Sequence, residues 1–247
     1  NILFGVYDRE AGDWPYTWRS QTVHERMGDE YAVLLRNFFE GEELTFGDVD
    51  AAVLASVVPI LTPRFIEMVE RYLSVTPLNI TYEVESGVDI LLDNPQEIGA
   101  DRLVNAAAVR TLYGAPAIVI DFGTATTFDV VNGEGGYLGG AIAPGIWLAH
   151  DALVSRAARL VTVDLAAPPA AIGRNTQHAM QSGLFLGYVG LIEGLVARIT
   201  AELGEDDVKV IATGGLAPIF AEHIDVIQAI APNLTLDGLR LIWEMNT

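Results

Sequence analysis

The spacing of hydrophobic and polar positions changes several times along the 247 residues, and each change marks an element. ILFGVYD (2–8) is a short β-rich run, and TWRS (17–20) is suited to return beside it as a hairpin partner. Tyr31, Leu34, Leu35, Phe38 and Phe39 fall at helical spacing within 28–39. AAVLASVVP (51–59) is an unbroken apolar run closed by proline, which predicts a buried strand. Thr62-Pro63 reads as an N-cap followed by proline at the first helical position, with Phe65, Ile66, Val69 and Leu73 carrying the helix over 63–73. After a loop holding Asn94-Pro95, residues 99–113 form an alanine-rich helical pattern ending at Gly114. APAIVID (115–121) predicts a second buried strand, and 125–143 a hairpin turning through 132–136. Residues 145–159 and 175–203 are helical by period, VKVIATGG (208–215) is a third strand, and a closing helix fits 237–245.

Strands alternating with helices imply α/β layers. Two strand-rich blocks, each with its own Gly/Thr turn, point to two related halves, 1–113 and 114–247, with no low-complexity linker between them.

Composition narrows the chemistry. Thirty-three acidic against 14 basic side chains leave a net charge of −19, which argues against nucleic-acid partners and anionic membranes. With 51% hydrophobic residues the chain is not a disordered one. It has no cysteine, which excludes disulfides, thiolate catalysis and Cys-ligated metals. No run approaches 18 uninterrupted apolar residues and no basic leader opens the sequence, so the expectation is a soluble, cytoplasmic protein. The acidity is uneven, because residues 101–200 carry 7 acids and 6 bases. Lys209 is the sole lysine and precedes its glycines, which argues against a Walker A phosphate loop.

DFGTATT (121–127) follows the second strand directly. Gly123 permits a tight turn, while backbone N–H groups and the hydroxyls of Thr124, Thr126 and Thr127 can hydrogen-bond an anion. Asp121 at the strand end can hold a cation or its water. An ordinary polar hairpin turn would use the same residues. GADR (99–102) opens a helix, where Asp101 meets the positive end of the dipole and Arg102 offers a fork for a carboxylate or phosphate. A plain helix start with a surface arginine is the alternative. In GRNTQHAMQSG (173–183), Asn175 or Thr176 can cap the long helix, and Thr176 can also reach a ligand. ATGG (212–215) permits close backbone approach to a flat ligand. Glycines 183, 187, 190 and 194 interrupt the long helix at about 1 kcal/mol each against alanine, which close helix packing, within the chain or across a dimer, would offset. His24, His150, His178 and His223 lack metal-ligand spacing and read as structural.

Taken in order, SVVP (56–59), DNPQEIGADRLVNA (93–106), DFGTATTFDVV (121–131), GGAIAPGI (139–146), NTQHAMQSG (175–183) and ATGGLA (212–217) resemble the type III pantothenate kinases over nearly the whole chain. The resemblance implies an actin-like ATPase fold, two RNase H-like domains (1–113 and 114–247) flanking a nucleotide cleft, the last helix packing back on the first domain. It implies a homodimer formed through the 175–203 helix. The implied reaction passes the γ-phosphoryl of ATP to the terminal hydroxyl of pantothenate, the first step of coenzyme A synthesis, with Mg2+ and a monovalent cation, K+ or NH4+. By motif, Asp101 matches the general base; Gly99, Ala100, Asp101, Arg102 and Thr176 the pantothenate contacts; Asn1, Gly123, Thr124, Gly214 and Gly215 the ATP contacts; and Asp121 the monovalent-cation ligand.

Two departures stand out. The family opens with a strand ending in Asp-x-Gly-Asn-Thr, its first phosphate loop, ahead of a stretch like NILFGVYD, so that loop is expected before Asn1. Leu92 occupies a position where many members carry an aromatic residue, and no substrate contact is assigned to it. A non-catalytic accessory relative, or a kinase of the same superfold acting on a sugar or acyl acid, are the competing readings; the intact Asp101, Arg102, Asp121 and Thr124 favour the pantothenate kinase.

Overall fold

In the computed structural model, which describes residues 1–156, 160 and 162–247, the opening apolar run folds as the expected hairpin. β1 (Ile2–Asp8) pairs antiparallel with β2 (Asp13–Ser20), placing Phe4 opposite Trp18 and Val6 opposite Tyr16. The Asp8 carboxylate closes the turn by accepting the N–H groups of Glu10 and Ala11. This hairpin belongs to the first of two compact units, Asn1–Ser86, Gln96–Val104 and Leu239–Thr247; the second comprises Gly87–Pro95 and Asn105–Gly238.

In the first unit, β2 alternates exposed and half-buried residues, and Trp18 stacks on Phe38 with ring centroids 5.5 Å apart. Helix α1 (Gly28–Gly41) supplies Phe38 and buries Tyr31, Ala32, Leu35 and Phe39 beneath the hairpin. Helix α2 (Thr62–Met68) runs on as a π-helical turn, Val69–Leu73, and stops at Ser74 in the left-handed region. Two expectations fail here. Of the run 51–59 only β3 (Val53–Leu54) is a strand, paired parallel with β4 (Leu78–Asn79). The chain turns at Ser56, whose hydroxyl accepts the Val58 N–H, and Val57 is exposed, so apolar length signalled burial without pairing. Thr62 is not the N-cap: it is the first helical residue, and its hydroxyl bonds to Ser56 and the Val58 carbonyl. The end of helix α8 (Leu234–Met245) packs on the hairpin through two cation–π contacts, Arg240 over Tyr7 and Arg9 over Trp243.

The second unit is built on a five-stranded sheet in the order β7-β6-β5-β8-β9. β5 (Ala117–Phe122), β6 (Ala125–Val131) and β7 (Tyr137–Pro144) form an antiparallel meander, its turn closed by the Asn132 side chain accepting the Gly136 N–H. β8 (Lys209–Thr213) returns parallel to β5, and β9 (Ala229–Ile230) parallel to β8. β5 is buried along nearly its whole length, as a central strand must be. Helix α3 (Ala100–Tyr113) begins in the first unit and buries Ala106, Ala107 and Val109 in the second. Helix α4 covers Ile146–Arg156; the last residues of its expected span, 157–159, lie outside the described residues.

The long helix runs as α5 (Thr176–Gln181), a π-helical turn (Ser182–Leu186) and α6 (Gly187–Leu203). Phe185, Tyr188, Ile192 and Val196 pack against Ile118, Ile120, Phe122 and Phe128 of the sheet, and Phe220 of α7 (Ala217–Ala221) completes this core. Away from the core, and apart from the helix's own backbone, no atom among the described residues comes within 4 Å of where a β-carbon would lie on Gly183, Gly187 or Gly190. Intramolecular packing therefore does not explain these three glycines. The stretch Thr176–Leu203 is also long and apolar enough to cross a membrane by composition, a property that counting uninterrupted apolar residues misses; here its aromatic stripe is packed on the sheet.

Candidate active site

Parallel pairing of β5 with β8 brings two glycine loops side by side at the carboxyl ends of the strands, the usual location of ligands in such sheets. Asp121 sits opposite Thr213 on one side and Thr127 on the other. Past it, the turn is held by the Gly123 N–H donating to the Ala125 carbonyl at 3.0 Å and by the Gly145 N–H donating to the Thr124 carbonyl at 3.1 Å. Gly123 and Thr124 are exposed. Thr126 and Thr127 differ from expectation. The Thr126 hydroxyl is fully buried against the Tyr188 phenol, and Thr127 donates to Asp129 at 3.1 Å. Strand alternation turns Thr126 into the core, leaving Thr124 as the hydroxyl at the loop surface.

Gly214 explains why the second loop lacks side chains. Its φ is +90°, and a β-carbon there would lie 2.6 Å from the Phe122 carbonyl oxygen and 2.8 Å from Asp121 Oδ1. Two oxygens thus pack closely against Gly214, the Phe122 carbonyl lying side-on with its carbon 2.8 Å from the same point. The Asp121 carboxylate is a donor suited to a hard cation. Gly215 beside it is exposed. The other Asp121 oxygen, Oδ2, faces Asn105 of α3, whose Nδ2 lies 3.4 Å away, while Asn105 Oδ1 accepts from the Thr235 hydroxyl at 2.9 Å. Sequence pattern does not single out Asn105; its signal is a polar residue at a fully buried position of an alanine-rich helix. Among the described residues no three His, Asp or Glu side chains cluster as metal ligands.

In the first unit, Gly99–Ala100–Asp101–Arg102 forms the start of α3. The Arg102 N–H donates to Asp101 Oδ1 at 2.8 Å, so the carboxylate folds over its own helix end. A β-carbon on Gly99 would lie 2.6 Å from that same oxygen and 3.5 Å from Val57. Glycine keeps this flank of Asp101 clear. Asn1 is exposed at the head of β1.

Of the two capping candidates, Asn175 takes the role: its side chain accepts the His178 N–H at 2.8 Å. Thr176 begins α5 and lines a cavity of about 620 Å3 in the second unit, with Arg174, Met180 and Leu184. Three of the four histidines have ordinary side-chain partners: His150 is buried between Asp151 and the Val163 N–H, His178 meets Asn175, and His223 packs edge-on to Phe185.

Compared with known proteins, residues 1–198 match a family model described as type III pantothenate kinase. The type III pantothenate kinase of Paramagnetospirillum magneticum is 51% identical over all of this chain and 94% of its own. That of Gluconobacter oxydans is 49% identical over all of this chain and 90% of its own. Among solved structures, a Campylobacter jejuni protein described as a conserved Baf-family transcriptional activator superposes with a TM-score of 0.56 at 23% identity, covering 81% of this chain and 86% of its own.

Proposed function

The chain belongs to the type III pantothenate kinase family, and we propose that its ATP-dependent phosphorylation of pantothenate, which opens coenzyme A synthesis, runs through Asp101 as general base. Asp101 takes the proton from the terminal hydroxyl of pantothenate as the oxygen attacks the γ-phosphorus. Gly99 and Ala100 shape the loop around that hydroxyl. Arg102, with a fork of N–H donors, pairs with the substrate carboxylate, and Thr176 adds a further pantothenate contact. The ATP contacts are Asn1 in the first unit and Gly123, Thr124, Gly214 and Gly215 in the second, where the glycines admit close backbone contact.

Asp121 would hold a monovalent cation, K+ or NH4+. The observation that carries this site is a carboxylate at the end of β5 lying beside the side-chain-free Gly214 of the neighbouring loop. Magnesium, travelling with ATP, and this cation supply charge neutralisation for the transferring phosphoryl group. Everything else falls to the chain: holding the carboxylate clear, seating the phosphates and orienting the hydroxyl.

We read the two mixed α/β units as RNase H-like domains of the actin-like ATPase fold, working in the cytoplasm. The open faces of Gly183, Gly187 and Gly190 support a homodimer through the 176–203 helix. The test is ATP consumption by the purified chain with and without pantothenate. Turnover should require pantothenate and should fall about 100-fold to 10,000-fold in Asp101→Asn, the contribution typical of a general base, with little change in melting temperature. An Asp101→Asn enzyme of near-normal kcat would overturn the assignment.

A further inference from the structure

Asn105 is 1% exposed in a helix of alanines, where an apolar residue would form helix better and need no polar partners. Its two polar atoms are nevertheless both engaged, one by Thr235 and one by Asp121. Resting on the reading of Asp121 as cation ligand, we propose that Asn105, anchored by Thr235, is a positioning residue that turns the Asp121 carboxylate toward its cation.

The chemistry of the partners settles the orientation of the amide. An ionised carboxylate only accepts, so the NH2 group of Asn105 must face Asp121 and its carbonyl must face Thr235, whose hydroxyl donates. Thr235 therefore does for Asn105 what Asn105 does for Asp121. The anchoring bond is the shorter, at 2.9 Å, and the amide–carboxylate contact is the longer, at 3.4 Å. A contact of that length orients the carboxylate without gripping it. It also divides the carboxylate: Oδ2 faces the amide, while Oδ1 lies beside Gly214. Without Asn105 the carboxylate loses this contact on Oδ2, and the direction in which Oδ1 faces beside Gly214 is less closely set.

The test uses the full chain as wild type, Asn105→Ala, Thr235→Val and Asp121→Asn. The thermal midpoint is followed against KCl at constant ionic strength, balanced with choline chloride and without nucleotide, and kinase activity is then followed against the same salt. Wild type should melt higher as K+ rises, with a saturating response. Asn105→Ala should need about 10-fold to 100-fold more K+ for half of that response, the loss typical of a removed outer-shell partner, while KM for pantothenate at saturating K+ holds. Thr235→Val should shift the response in the same direction by less, and Asp121→Asn should abolish it. A response abolished in Asp121→Asn but unchanged in Asn105→Ala overturns the role of Asn105 and leaves the cation site standing. A wild type indifferent to both K+ and NH4+ overturns the cation site and the positioning role together. Should Asn105→Ala fail to fold, an unmoved K+ requirement in Thr235→Val overturns the proposal by itself.

Discussion

Asp121 Oδ1 lies 2.8 Å from the point where a β-carbon on Gly214 would sit, so the carboxylate and any side chain at 214 exclude each other. The two residues are 93 positions apart, and parallel pairing of β5 with β8 makes them neighbours. Gly214→Ala must therefore displace the carboxylate as well as strain a backbone held at φ +90°. The expected outcome is a loss of about 1–3 kcal/mol of stability in urea unfolding. Turnover should drop further than the folded fraction does. Activity that tracks the folded fraction alone would separate Gly214 from the chemistry.

Gly99 offers the opposite case, because its backbone lies outside the left-handed region and alanine can adopt it. What Gly99→Ala meets is the Asp101 carboxylate, 2.6 Å from the new methyl group. Stability should hold or rise slightly, while kcat falls about 100-fold, the scale of loss for a catalytic group misplaced by about 1 Å. Thermal melting alongside steady-state kinetics checks both halves. Unchanged kcat would mean that Asp101 need not stay where Gly99 allows it.

Burial holds the Tyr188 phenol above its ordinary pKa of 10.0, against the opposing effect of its hydrogen bond with Thr126. The folded chain thus keeps a proton that the unfolded chain releases. Stability from this source is whole below about pH 10 and declines as pH climbs past that value. Tyr188→Phe should flatten this alkaline decline while costing about 1–3 kcal/mol at neutral pH, since Thr126 is left buried without its partner. Adding Thr126→Val should recover much of that cost. Urea unfolding at neutral and alkaline pH for the two single variants and the double variant measures each claim; an undiminished alkaline decline in Tyr188→Phe would refute the first.

Gly187 has open space where a side chain would project, so Gly187→Arg should leave the fold of one subunit intact. If the helix pairs with a second copy, the same arginine blocks close approach and the dimer should dissociate. Light scattering coupled to gel filtration distinguishes the two states. A Gly187→Arg protein that remains dimeric would move the interface elsewhere.

Much of the architecture was legible in the pattern of residues, for reasons that particular segments make plain. The stripe Tyr31, Leu35 and Phe39 announced α1, and Asn132 through Gly136 announced the hairpin of β6 and β7, because period and turn chemistry are local properties. The run 51–59 misled because apolarity reports burial, whereas strand length depends on a partner elsewhere in the chain, here the two residues Leu78–Asn79. In the site, Asp121 was legible as a strand-end carboxylate and Gly214 as a loop glycine, yet their juxtaposition depends on β8 returning beside β5. Asn105 and Thr235 were not legible at all. Their value lies in a contact across 130 positions that no local spacing encodes.

The π-helical turn at Ser182–Leu186 carries one more residue than an α-helical turn would. Across it the buried positions pass from Met180 and Gln181 to Phe185, and then fall at Tyr188, Ile192 and Val196. Deleting one residue from that turn would give an unbroken and more regular helix. It would also rotate everything before the turn by about 100° relative to everything after it. Thr176 would swing away from its cavity while the aromatic stripe stayed on the sheet. Aim and regularity are in conflict in this helix, and a single supernumerary residue decides the direction in which its first turn faces.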